Sequence, residues 1–69
     1  MHYTNDQARE AIEQTIHSER DRRIMIRRLI DGICYEPLAE EFDMSVRQIK
    51  RIVIKHKNTI FAHVQKMAQ

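Results

Sequence analysis

The chain has 69 residues, 32% of them charged and 42% hydrophobic, which is the size and balance of one small globular domain and leaves no room for a multidomain enzyme or a transporter. Cys34 is the only cysteine, excluding an intrachain disulfide and a four-thiolate zinc site. The formal net charge is only +2, but all ten acidic residues lie in 1–44 beside six arginines, for −4, whereas 45–69 holds six basic residues and no acidic one, for +6.

No apolar run is long enough to span a membrane, and Met1-His2-Tyr3-Thr4 lacks the layout of a signal peptide, so the cytoplasm is the expected compartment. Gly32 and Pro37 are the sole glycine and proline, too few turn formers for a β-rich fold. Hydrophobic spacing is helical throughout and predicts an all-α fold of four helices. Ordering a chain this short costs about 1.5 kcal/mol per residue, close to what burial returns, so self-association or a partner is expected.

In chain order, Ala8, Ala11, Ile12 and Ile16 stand three and four apart and mark a first helix over 5–17. Thr4 with Gln7 can cap its start reciprocally. A second helix runs from about Ser18 to Asp31, with Met25, Ile26, Leu29, Ile30 and Ile33 as its inward stripe. Ile24 falls on the opposite side of that helix. Packing against the first helix is the simpler reading of it, a dimer contact the alternative. Gly32 can take the left-handed conformation that ends helices. After the apolar link Ile33-Cys34-Tyr35, a third helix fits 36–42, with Pro37 tolerated in its first turn and Leu38, Ala39 and Phe42 on its apolar face. Asp43-Met44 is a tight turn, and Ser45 with Gln48 forms a second capping box. The last helix then continues over 46–66 without a breaker. Ile49, Ile52, Val53, His56, Ile60, Val64 and Met67 make its apolar stripe, while Arg47, Lys50, Arg51, Lys55 and Asn58 lie opposite.

A short helix, a tight turn and a long basic helix make the plan of a helix-turn-helix DNA reader. That plan needs a small residue where the two helices touch and apolar residues around the turn. Ala39, then Leu38, Phe42 and Met44, then Ile49 and Ile52 fill those positions. The outward positions of the long recognition helix, Ser45, Val46, Arg47, Gln48, Lys50 and Arg51, can reach base edges when its N-terminal end enters the major groove of double-stranded DNA. Arginine makes bidentate bonds to guanine, so Arg47 and Arg51 are the expected base readers. Gln48 can read a base only by leaving its cap. Ser45 and Lys50 suit the groove edge, and Lys55 and Asn58 suit phosphate contacts. Arg22, Arg23, Arg27 and Arg28 have two readings, added backbone contacts or a solvated face paired with Glu19 and Asp31.

The run Asp31-Gly32-Ile33-Cys34-Tyr35-Glu36-Pro37-Leu38-Ala39-Glu40, followed by Ser45-Val46-Arg47-Gln48-Ile49-Lys50, resembles the fourth conserved region of bacterial sigma factors and of small sigma-like regulators from phages and mobile elements. The resemblance covers about residues 19–64. It implies promoter binding through the recognition helix and contact with RNA polymerase. Cys34 stands where that family usually has a serine or threonine cap, Arg27 where a leucine is common, and Asp43 where glycine is most frequent. The chain lacks the other regions of a sigma factor and is not expected to act as a complete one. All of 1–69 reads as one domain, with 1–17 as a helix for packing or dimerisation and 19–66 as the sigma-like part.

His56 and His63 lack a second close-spaced ligand, and a boundary histidine packing on the first helix is the better reading. Cys34 has no base placed beside it and reads as a buried thiol. Glu40 and Glu41 are adjacent on a helix and point apart. No catalysis, metal or cofactor is expected. Ile54 and Phe61, seven apart and off the main stripe, are candidates for contact with the first helix or for a homodimer seam. Rival functions are a sigma-like interaction module docking on RNA polymerase or a phage partner, and a DNA-binding accessory factor for recombination or packaging.

Overall fold

The computed structural model describes residues 4–67, except for the side chain of Met67. Its elements are α1 (Asn5–Thr15), α2 (Glu19–Leu29), α3 (Tyr35–Glu41) and α4 (Val46–Met67), with no strand among the described residues. The expected all-α, four-helix architecture is the one observed. The longest dimension is 38 Å, little more than the about 33 Å that a 22-residue helix spans. α4 is therefore the spine on which the other helices lie.

Each helix starts and stops for a local reason. Thr4 accepts from the Gln7 N–H at 3.1 Å while the Gln7 side chain accepts from the Thr4 N–H at 2.9 Å, the reciprocal cap expected at the start of α1. Ser18 accepts from the Asp21 N–H at 3.3 Å and starts α2. Gly32, at φ 72, turns the chain so that the Ile33 N–H returns to the Arg27 carbonyl at 3.1 Å and closes α2. Cys34 occupies the N-cap position of α3 without a side-chain hydrogen bond, as expected where a thiol replaces a hydroxyl.

One core joins all four helices. Ala11, Ile12 and Ile16 of the α1 segment meet Ile24 and Met25 of α2, Leu38 and Ala39 of α3, and Ile49, Val53, Ile60 and Val64 of α4. In the α4 stripe Ile49, Val53, Ile60 and Val64 are buried and Ile52 and His56 half-buried, as the 3.6-residue period requires; the Met67 side chain expected there lies outside the described residues. The α2 stripe does not. Met25 is fully buried, but Ile26, Leu29, Ile30 and Ile33 are half-buried, and Ile24 is at 0% exposure. α2 packs against α1, α3 and α4 at once, so both of its sides are covered. Ile24 is thus a core residue, and the dimer contact considered for it is ruled out by burial.

Cys34 also departs from expectation. It is exposed, not buried. The link is extended at Cys34, with φ −68 and ψ 161, so alternate side chains face opposite ways. Ile33 and Tyr35 turn towards the core, and Cys34 between them turns to solvent.

Candidate nucleic-acid interface

The joint between α3 and α4 is fixed by two interlocking motifs. At the end of α3 the Met44 N–H reaches the Ala39 carbonyl at 2.9 Å and the Asp43 N–H reaches the Glu40 carbonyl at 3.3 Å. This pair of bonds is a Schellman motif, which needs a left-handed residue at its corner. Asp43 supplies it, with φ 53, the one positive-φ residue besides Gly32 among the described residues. A carboxylate side chain tolerates that conformation better than most. One residue later α4 begins. Ser45 Oγ accepts from the Gln48 N–H at 3.1 Å, and Gln48 Oε1 accepts from the Ser45 N–H at 3.0 Å and from its hydroxyl at 3.2 Å. Stop and start signals are therefore two residues apart, and the angle between α3 and α4 is set by backbone bonds. Ala39 is buried in the core, against which Phe42, Met44 and Ile52 also pack.

This joint aims the first turns of α4 outward. Ser45, Arg47, Gln48, Lys50, Arg51, Lys55 and Asn58 are all exposed. Arg47, Arg51 and Lys55 follow one another at four-residue spacing and share a face. None of these three cations has an ion pair or hydrogen bond with another described residue. Lys50 is placed differently: its ammonium lies 5.6 Å from the centre of the Tyr35 ring, whose environment also takes Arg28 at 4.4 Å. Tyr35 thereby steadies Lys50 at the edge of the face, a role without a signal in the local pattern, because the two residues are fifteen positions apart.

Two candidates sit otherwise than expected. Val46 is half-buried against the core and is not a free outward position; it anchors the first turn. Gln48 is engaged in the capping box, so its carbonyl oxygen is occupied. Of the off-stripe residues, Ile54 is 59% exposed, which removes contact with α1 as its role. Phe61 is half-buried, with the Lys57 ammonium 5.5 Å from its ring centre. The apolar residues of α1 are instead covered within the common core.

The arginines of α2 are engaged within the molecule. Arg22 Nε donates to the Ile16 carbonyl and its Nη2 to the Glu13 carbonyl at 2.9 Å. These carbonyls belong to the end of α1, which has no basic residue in its own last turn, so a cation from α2 satisfies them and meets the negative end of the helix dipole. Arg27 bonds Glu41 at 2.9 Å and Asp31 at 3.0 Å, and these carboxylates hold it more firmly protonated than usual. Arg28 donates to the Ile33 carbonyl at 3.1 Å, Arg23 lies 5.9 Å from the Phe42 ring centre, and Arg20 pairs with Asp21 at 3.1 Å. Of the two acidic partners in the paired reading of these arginines, Asp31 takes part, through Arg27, and Glu19 takes no part among the pairs seen.

His56 and Asp21 tie α4 to α2. Nε2 of His56 lies 2.8 Å from Oδ2 of Asp21, with both side chains 13% exposed. Burial alone pushes the Asp21 carboxyl up, but hydrogen bonds from His56 and Arg20 outweigh it and hold the group below its usual value. His56 is therefore held by α2. Among the described residues no group of three or more histidine, cysteine, aspartate or glutamate side chains is placed to hold a metal ion, and no helix is long and apolar enough to cross a membrane.

No known protein family, curated protein or solved structure matches the chain. What the α4 face can do follows from its own side chains.

Proposed function

We propose that the chain is a sequence-specific double-stranded DNA-binding transcriptional regulator, with α3 and α4 as a helix-turn-helix and the first turns of α4 in the major groove. One observation carries this reading: Arg47, Arg51 and Lys55 form an exposed cationic row on α4 with no acidic partner among the described residues, while every arginine of α2 is engaged. Unpaired cations in a row repel each other, and phosphate neutralises them while releasing counterions. The rigid α3–α4 joint supplies the fixed docking angle that base reading needs. Arg47 and Arg51 then read base edges, Ser45 and Lys50 contact the groove edge, and Lys55 and Asn58 contact phosphates. Such a regulator works in the cytoplasm.

The test is binding to a site selected from a random duplex library. Arg47→Ala or Arg51→Ala is expected to weaken that site by about 1–3 kcal/mol and to relax choice at one base pair. An Arg47→Ala protein that binds the site as tightly and as selectively as the parent contradicts the proposal. The rival reading, docking on RNA polymerase or a phage partner through the acidic part, is favoured by exposed Glu36, Glu40 and Asp43, which have no ion pair with other described residues. A triple change of these to lysine abolishes docking under the rival and strengthens DNA binding under the proposal.

A further inference from the structure

Ile54 is the one large hydrophobic residue left exposed among the described residues, at 59%. Lone exposed isoleucines are ordinary on protein surfaces, but this one is placed in the middle of the cationic face. Arg47, Lys50, Arg51 and Ile54 stand at i, i+3, i+4 and i+7, and Asn58 follows four residues on, so all five fall on one side of α4. From Arg47 to Ile54 this row covers about 10 Å of helix, which matches about three base-pair steps.

A face built from cations accepts few apolar neighbours. A second copy of the chain is a poor one, because a two-fold contact sets a patch against itself and would bring Arg47, Lys50, Arg51 and Lys57 against their own counterparts. In the major groove, by contrast, phosphates flank the base edges, and one base carries an apolar group there: the C5-methyl of thymine. We infer that Ile54 is a specificity-determining residue that packs on the methyl group of a thymine in the major groove, next to the bases read by Arg47 and Arg51. This rests on the proposed function and adds to it a geometric demand. α4 must lie along the groove through its third turn, since insertion of its tip alone leaves Ile54 outside.

The test uses the full chain and its library-selected duplex, re-synthesised with each thymine in turn replaced by deoxyuridine, which lacks only the methyl. At one or two positions the parent protein is expected to lose about fourfold in affinity, the worth of one buried methyl. Ile54→Ala is expected to bind the thymine and uracil duplexes equally at those positions, with an unchanged Tm because the side chain is exposed. The inference is overturned if the selected site is bound but no thymine shows this dependence on Ile54. It is also overturned if the free parent protein is a dimer and Ile54→Ala a monomer, since the face then belongs to a second copy. Selection of no site at all removes the proposed function itself, a result distinct from either.

Discussion

Five arginines crowd α2 between Arg20 and Arg28, and five cations line α4 between Arg47 and Lys57. The two sets look alike in composition and differ in what surrounds them. The α2 set stands among Asp21, Asp31, Glu41, the carbonyls closing α1 and α2, and the rings of Tyr35 and Phe42, and every member is engaged. The α4 set has no acidic residue anywhere in its own helix. Two of its members rest over Tyr35 and Phe61, and Arg47, Arg51 and Lys55 are exposed with no ion pair or hydrogen bond among the described residues. Cations on α2 hold the fold together; cations on α4 are left over from folding and are available for a partner. The isoleucines repeat the contrast, with Ile24 sealed in the core and Ile54 left outside.

This contrast can be broken most forcefully through the isoleucines. Ile24→Ala is expected to cost about 2–5 kcal/mol, the range for a fully buried aliphatic side chain, whereas Ile54→Ala should stay within about 0.5 kcal/mol. Urea titration of both variants checks this, and a small effect at Ile24 would return it to the surface. Next in size is Arg22→Ala, which strips the carbonyls at the end of α1 of a charged donor and should cost about 1.5–3 kcal/mol without altering DNA affinity. A variant that kept its stability and lost DNA binding would move Arg22 into the α4 class.

Smaller again is Asp21→Asn, about 1 kcal/mol near pH 6 from the weakened link to His56. Its pH dependence has a definite sign. The folded-state carboxyl is held below its ordinary value of 3.8, so its contribution is complete above that pH and is lost as the pH falls through the folded value. The Tm of the parent should therefore fall more steeply than that of Asp21→Asn on acidification below about pH 4. Parallel curves would mean that the Asp21 charge does not support the fold. Arg27→Ala should show the slightest effect, a small drop in Tm that disappears in high salt because the ion pairs it loses are exposed.

The parts of the molecule legible in the sequence are those governed by neighbours along the chain. The capping boxes at Thr4 and Ser45, the left-handed Asp43 and Gly32, and the buried stripe of α4 all follow from residues three or four apart. Contacts between distant segments were not legible. A helical wheel finds one dominant face and sets Ile24 off the inward stripe of α2, leaving both packing on α1 and a dimer contact open, because nothing local tells that three helices surround this one. The Asp21–His56 link and the Arg22 bonds to α1 join residues that no periodicity connects. For the α4 face, the absence of acids marked Arg47, Arg51 and Lys55 correctly as exposed, but half-burial of Val46 and capture of Gln48 by the cap depend on how α4 is seated. Cys34 was misplaced because three apolar residues in a row read as buried, although an extended link must turn its middle one away.

The central claim is that the α4 cations are reserved for nucleic-acid phosphate and base edges. The most direct measurement is the slope of log affinity for duplex DNA against log salt concentration, taken for the parent and for Lys55→Ala. Each phosphate contact contributes a slope of about −0.9, so a parent slope of about −3 to −4, reduced by about one in Lys55→Ala, is the predicted result. A flat slope, or one that Lys55→Ala leaves unchanged, would contradict it.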